Sequence, residues 1–467
     1  MKKNNLVIAF LILSVSTFGQ TLIKGKIEEI DRKNVLLDYL LKTENEIYCL
    51  KKPIQLSWTQ KDLPTMIVKY KIDKEKGISK EKETIFNIDS KKISFGNVFR
   101  FGNNETKSIF IGYSQEFVDN NFTLKKGIKG RFVVEKYDVE GKMINSFGVD
   151  KKTINNKDYF FDVAVSENGK HIGIINNTDY SVYNSEDFKL EKIFKLKIMP
   201  EKDKATFFVL SDGSLIFVTK TNPIIVTKCD IKTGDVKAIQ IAFNNENNFG
   251  AVFKIAEDEK CLMIACCYND QKNSDANTTL VKGIQLFGID LSSFELKDNI
   301  DYSLGDDIRA KMEYKKKIEY LSIIDIFKIK DDYIIITNNT WTYSSKYGSI
   351  TYNNNILLLK ANNNNKSFNI IKRSDFNADL YTYSINGKPY IIYSNDTKSR
   401  ATGSETNKSK LLSVEVDGNL NNKITFKEDF TSKQIKLVDL RMYKMDMNNY
   451  FLIVKEKDQL MPIVLTF

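Results

Sequence analysis

Short apolar runs, each closed by a polar or glycine-bearing turn, recur along this chain from residue 95 to residue 426. The clearest copy spans residues 159–198, YFFDVAVSENGKHIGIINNTDYSVYNSEDFKLEKIFKLKI. Its runs at 160–165, 171–175, 180–183 and 190–198 are separated by SENGK, NNTD and NSEDF. Runs this short, dominated by β-branched and aromatic residues, are too brief for helices and suit strands. Four strands joined by tight polar turns make one antiparallel sheet. Similar units return at roughly 40- to 65-residue intervals, a period that marks a repeat architecture. Continuous apolar second strands such as IIIT and LIFV are what inner strands need when sheets pack face to face around an axis. The expected fold is therefore an all-β β-propeller of four-stranded antiparallel blades.

Six units align through their second- and third-strand cores. The pairs are SIFIGYS with RFVVEKYDVEG, KHIGIINN with YSVYNSED, SLIFVTK with IIVTKCDIKTG, CLMIACCY with GIQLFGIDLSS, YIIITNN with NILLLKANNNN, and PYIIYSN with LLSVEVDGN. Their turns carry Glu140-Gly141, Thr233-Gly234, Asn386-Gly387 and Asp417-Gly418, residues that tolerate positive φ. The ends read as fragments of the same unit: residues 65–88 match a third and a fourth strand, and 437–467 a first, a second and a third. Joining the ends in one shared blade closes the ring and removes two exposed sheet edges. Six units plus that blade give seven, the count expected; if each end builds its own blade the count is eight. Residues 22–29 read as a strand and 35–41 as a short helix, and the scheme places neither.

The words SENGKHIGI at 166–174, echoed by SDGSLIFV from Ser211, resemble the first-turn signature of TolB-like bacterial propeller repeats. The likeness covers those two turns, and the proline usual after the serine is missing. It implies an exported bacterial propeller and transfers no functional residue.

Residues 1–19 read as an export signal, with Lys2 and Lys3 ahead of an apolar core at 6–13 and a cleavage site at Thr17-Phe18-Gly19. That core is well short of the ~20 residues a spanning helix needs. Residues 20–467 then form one propeller domain in the periplasm, at the cell surface or outside the cell. The formal net charge is +10, and loss of Lys2 and Lys3 leaves 10 − 2 = +8. Lysine and asparagine are abundant throughout, including a run at 362–365, so the excess reads as compositional bias rather than a nucleic-acid footprint. Five cysteines at irregular spacing make no disulfide framework. In KCLMIACCY, alternation puts Cys261 and Cys267 on one face of a strand and Cys266 on the other. They cannot converge on a tetrahedral zinc ion by themselves, so buried thiols are expected and no metal or cofactor.

His171 is the sole histidine, which excludes multi-histidine metal centres. At the start of a second strand it reads as a surface or edge residue. Carboxylates remain the catalytic currency. Asp306 and Asp307, beside Arg309, lie in the longest connection between units, 301–317. They could act as acid and base or bind an ion or sugar; the plainer alternative is a solvated loop with a short helix capped by either acid. Three long loops, 269–282, 340–353 and 396–409, are expected on the same face. The middle one carries Trp341, Tyr343, Tyr347 and Tyr352 among small polar residues, a composition suited to flat recognition of a sugar or a protein. A long hairpin with cross-strand aromatic pairs is its structural alternative. The leading expectation is a non-enzymatic propeller binding a protein or glycan partner at the cell envelope. The alternatives are a carbohydrate-active enzyme using the loop carboxylates and a scaffold subunit of a surface complex.

Overall fold

The four runs of the clearest unit become Phe161–Val165, His171–Asn176, Asp179–Asn184 and Leu190–Lys195, consecutive strands of one antiparallel sheet. The computed structural model describes residues 21–24, 28–29, 35–53, 65–86, 99–116, 128–152, 161–196, 205–243, 247–269, 280–312, 318–319, 321–345, 348–372, 380–396, 409–430, 439–446, 449–456 and 459–466. Across them the sheet recurs as eight blades of a β-propeller, each hydrogen-bonded in order from its first to its fourth strand.

Blade 1 is Val35–Lys42, Glu46–Pro53, Thr65–Asp73 and Gly77–Phe86. Blade 2 is Phe99–Asn103, Ser108–Glu116, Ile128–Asp138 and Met143–Lys152, and blade 3 is the unit already given. Blade 4 is Ala205–Val209, Leu215–Thr219, Ile224–Cys229 and Val236–Ile241. Blade 5 is Asn247–Ile255, Cys261–Asn269, Gly283–Asp290 and Glu295–Ser303. Blade 6 is Leu321–Ile329, Asp332–Ser345, Gly348–Ala361 and Lys366–Ile371. Blade 7 is Leu380–Ile385, Lys388–Asp396, Ser409–Val416 and Asn422–Phe430. Blade 8 takes Asp439–Lys444, Asn449–Glu456 and Gln459–Thr466 from the C-terminal end and its fourth strand, Thr21–Lys24, from the N-terminal end.

All six aligned strand pairs form as expected, but the seven-blade count is wrong. Residues 65–86 pair with two further strands of their own rather than with the C-terminal end. The segment read as a helix, 35–41, is the first strand of blade 1. The register there shifts between Tyr39 and Leu41, and this bulge leaves Leu40 and Leu41 both buried, at 3% and 0% exposure. Two adjacent apolar residues inside the fold break the two-residue alternation and imitate a helical pattern. The helix-like text was a bulged strand.

The apolar second strands have a physical reason. Adjacent residues of a strand point to opposite faces, so Phe217 serves the seam with blade 3 and Val218 the seam with blade 5. Met263 and Ile264, Ile335 and Ile336, Ile391 and Ile392, and Phe451 and Leu452 divide in the same way. Eight apolar clusters result, one in each seam, including the seam between blade 8 and blade 1, where Phe451 meets Val68. Close approach near the axis is built in as well. A Cβ on Gly102 would stand 2.2 Å from the Leu40 carbonyl oxygen, so the first strands of blades 1 and 2 can meet only at glycine.

A polar girdle runs around the same ring. The Lys42 amine pairs with Asp446 at 2.9 Å, and the Lys42 backbone N–H donates to Asn104. Asn103 donates to the Gly169 carbonyl, Asn168 to that of Ser211, and the Ser211 N–H and hydroxyl to Glu259. Asp325 takes the Lys254 amine at 2.7 and 2.8 Å and the Thr382 hydroxyl at 2.7 Å, and Tyr450 donates to the Ser384 carbonyl. Every seam therefore has both an apolar filling and a hydrogen-bonded tie.

The fourth strands explain the lysines. Outermost strands present unpaired backbone groups that invite pairing with another chain, and lysine on the edge opposes it. Each fourth strand carries at least one: Lys80, Lys151, Lys192, Lys237, Lys297, Lys366, Lys423 and Lys24 in blade order.

Expected turns hold at Gly141, Gly234 and Asn386-Gly387, which take positive φ, but in the turn after Asp417 it is Leu420, not Gly418, that does so. No helix among the described residues is long and apolar enough to cross a membrane.

Burial raises the hydroxyls of Tyr180, Tyr302, Tyr333, Tyr383 and Tyr450 above the ordinary tyrosine range, and that of Tyr390 to about 12. An unfolded tyrosine ionises near pH ~10. Above that pH the folded chain holds protons the unfolded chain has released, so stability is complete below pH ~10 and falls as pH rises. A titration followed at the tyrosinate absorbance should show these rings ionising together with loss of the strand signal in circular dichroism. Ionisation of all tyrosines near pH ~10 with the fold intact would contradict this burial.

Candidate functional site

On the face carrying the connections between blades, here the upper face, the most elaborate relief among the described residues is at blades 4 to 6. Blade 5 leaves through Leu304 and Gly305 into a short helix, α1, Asp306–Lys311, whose inner side is fixed by Ile308 and Met312 in the seam between blades 5 and 6. The cap is Gly305, without a side-chain hydrogen bond, so neither acid caps the helix as the sequence suggested. Asp306 and Asp307 occupy its first turn, where carboxylates complement the helix dipole.

Asp306 and Arg309 come together: the guanidinium lies 2.7 Å from the carboxylate, one turn apart. The Asp306 side chain is 97% exposed, and the two acids are adjacent in one helical turn rather than convergent on a cavity.

The loop leaving the second strand of blade 5 is tied to the same region. Leu280–Val281 pairs with Ile318–Glu319 in a separate two-stranded sheet, the Leu304 N–H donates to the Lys282 carbonyl, and Tyr268 donates to Asp301 at 2.6 Å. Burial, then the bond to Asp301, raises the Tyr268 hydroxyl above its ordinary range. The polar 269–282 loop is thus anchored at its C-terminal end; residues 270–279 and 397–408, in the other polar loop, lie outside the described residues.

The aromatic loop is a hairpin. Asp332–Ser345 and Gly348–Ala361 run 14 residues each, whereas the other second strands have 5 to 9. At ~3.3 Å per residue the ribbon overshoots its neighbours by roughly 17 Å. Trp341 pairs with Tyr352 and Tyr343 with Ile350, so the hairpin alternative is the one realised at the level of backbone register. Tyr347 lies outside the described residues.

Sequence reading missed a cleft of about 350 Å³ beside these features, between blades 4 and 5. Phe243, Phe249 and Phe253 supply its apolar walls, Asn222 and Asn248 its amides, and Lys220 a charge. It exists because the first strand of blade 5 bulges between Phe249 and Val252 with Gly250 at φ +63°. Gly250 inside an otherwise strand-like run, NNFGAVFKI, was the available signal.

The cysteines follow the alternation expected. Cys261 and Cys267 face the seam with blade 6, while Cys266 lines the cleft. Burial pushes the Cys229 and Cys267 thiols up to about 12 and raises those of Cys261 and Cys266. They are held as thiols, poor nucleophiles. His171 opens the second strand of blade 3 directly after its turn, as expected. Its side chain is 16% exposed, with Nδ1 2.9 Å from Glu191, and the neighbouring turn of blade 4 packs against its ring.

No family model matches the chain, and no curated protein matches it. Among solved structures it is similar to the WD40 domain of SCAP from fission yeast, at 10% identity and a TM-score of 0.45 over 95% of this chain and 98% of that one. It is similar to the dihydro-heme d1 dehydrogenase NirN, at 12% identity and a TM-score of 0.41 over 92% and 71%. It is also similar to Hsv2p of Kluyveromyces lactis, at 10% identity and a TM-score of 0.39 over 85% and 99%.

Proposed function

We propose that this protein is an exported, non-enzymatic propeller that binds a protein or glycan partner at the cell envelope through the loops of its upper face. The observation that carries the reading is the overshooting hairpin of blade 6, with Trp341 and Tyr352 in cross-strand register. The ribbon is longer than the other blades' second strands require, and its sequence is rich in aromatic residues, which cost little side-chain entropy to order on binding. The basic and apolar leader at 1–19 supports the location.

Replacing Trp341 and Tyr343 by alanine should reduce recovery of the partner from solubilised envelope by about tenfold or more, the loss expected when central aromatic anchors are truncated. Thermal unfolding should stay near that of the parent, because Trp341 and Tyr343 belong to the part of the strand that extends past the length of the other second strands. Equal recovery of the same partner by parent and variant would sink the assignment to this hairpin.

A further inference from the structure

The cleft between blades 4 and 5 is two-sided. One side is aromatic: Phe243, Phe249 and Phe253 line it and are each half-buried. Phe243 meets Phe287 edge to face with 5.7 Å between ring centres, and Phe253 packs on the same seam, so the rings are held from behind.

The other side is polar and belongs to the turn between the second and third strands of blade 4. There the Thr221 hydroxyl donates to the Pro223 carbonyl and lies 2.9 Å from the Thr219 hydroxyl, which accepts the Ile225 N–H. These bonds fix the turn and set Lys220 and Asn222, both exposed, on the cleft wall. Neither has a hydrogen-bond or ion-pair partner among the described residues. Asn248, from blade 5, adds a second amide, its carbonyl oxygen 3.8 Å from the Cys266 sulfur at the floor. Among the described residues no carboxylate lines the cleft, so its charge is that of Lys220. A Cβ on Gly250 would meet nothing within 4 Å, so the cavity is open beside the bulge.

A volume of about 350 Å³ suits a small ring. Aromatic walls, an amide rim and a lone ammonium match a ring that is apolar on one face, hydroxylated around its edge and singly anionic. A hydrocarbon anion would fill the aromatic side but strip water from the Asn222 and Asn248 amides without replacing those bonds. A neutral sugar would leave the ammonium unmatched. We propose that this cleft binds the terminal hexuronate residue of an acidic glycan. The C–H face of the pyranose lies on the phenyl rings, its hydroxyls on Asn222 and Asn248, and its carboxylate on Lys220. The assignment rests on the reading of the upper face as a recognition surface and names a ligand class for it, but it uses no residue of the blade 6 hairpin.

Methyl glucuronide titrated calorimetrically into the full chain at low salt should saturate at one molecule per chain. Methyl glucoside, in which CH₂OH replaces the carboxylate, should bind about tenfold more weakly, as loss of an exposed charge-assisted bond does. Benzoate should bind more weakly than the glucuronide. Lys220→Met should bring the glucuronide down to the level of the glucoside and leave the glucoside unchanged, a split that a folding defect does not produce. Phe243→Leu should weaken both sugars about fivefold. The variant lacking Trp341 and Tyr343 should bind the glucuronide as the parent does, whether or not it still recovers the envelope partner. Equal affinity for glucuronide and glucoside, tighter binding of benzoate, uptake without saturation, or unchanged affinity in both cleft variants would each overturn the proposal. Loss of glucuronide binding in the hairpin variant would overturn it too, by moving the site to blade 6.

Discussion

Deleting residues 21–24 is expected to abolish the closed, cooperatively unfolding ring. Those four residues pair with Ile463 to Thr466 and form the fourth strand of blade 8. At about 1 kcal/mol per ladder hydrogen bond, together with the half-buried Ile23 side chain, their loss removes about 4 kcal/mol. The larger effect is exposure. The strand left at the edge, QLMPIVLT, has no charged residue, and only Gln459 and Leu460 are paired elsewhere, with Glu29 and Glu28, so an uncovered apolar edge at Ile463 to Thr466 replaces one that ended in Lys24. Size exclusion should show larger species or aggregates than the parent gives, and a peptide covering 20–29 supplied in trans should restore the parental elution. A deletion variant with parental elution and parental unfolding would show that the ring does not depend on this strand.

Asp325→Ala should be the most damaging single substitution in the polar girdle. Asp325 is 14% exposed and holds the Lys254 amine, which also lies 3.7 Å from the centre of the Phe327 ring, and the Thr382 hydroxyl. Its removal leaves a largely covered ammonium without its counter-charge. Loss of one partner of a fully buried pair costs ~3–5 kcal/mol, and partial exposure of Lys254 lowers this to about 2–3 kcal/mol. Chemical denaturation should read the loss. Adding Lys254→Met should recover part of it, since an apolar side chain needs no partner. If the double variant is no more stable than Asp325→Ala, the pair is not what Asp325 supports.

Much of the fold was written in local text. SENGK, NNTD and NSEDF punctuate blade 3 where its strands end, and runs such as IIIT and LIFV had to face apolar seams on both sides. The count failed at VLLDYLLK, because a bulge at Tyr39 to Leu41 changes the spacing from which strand or helix is inferred. Closure was assigned to the wrong partner for a related reason: Thr21–Lys24 is only four residues long, too short for alternation to declare it.

The site was less legible, for a different reason. Asp306 and Arg309 are three residues apart, so a helix could unite them and the sequence could suggest it. The cleft between blades 4 and 5 draws Lys220 and Asn222 from one blade and Phe249 and Phe253 from the next. No local pattern encodes that meeting. Its shape follows from how neighbouring blades are angled around the axis, and a one-dimensional reading sees their residues as unrelated.

The latch of blade 8 also fixes how the ring responds to force. Thr21 lies opposite Thr466, so a pull on the segment before Thr21 against the residue after Thr466 acts across the ladder rather than along it. The hydrogen bonds are then loaded singly, in the manner of a zip, and never share the tension. A ring that heat must dismantle through eight packed seams can be unlatched by a modest tug at one corner.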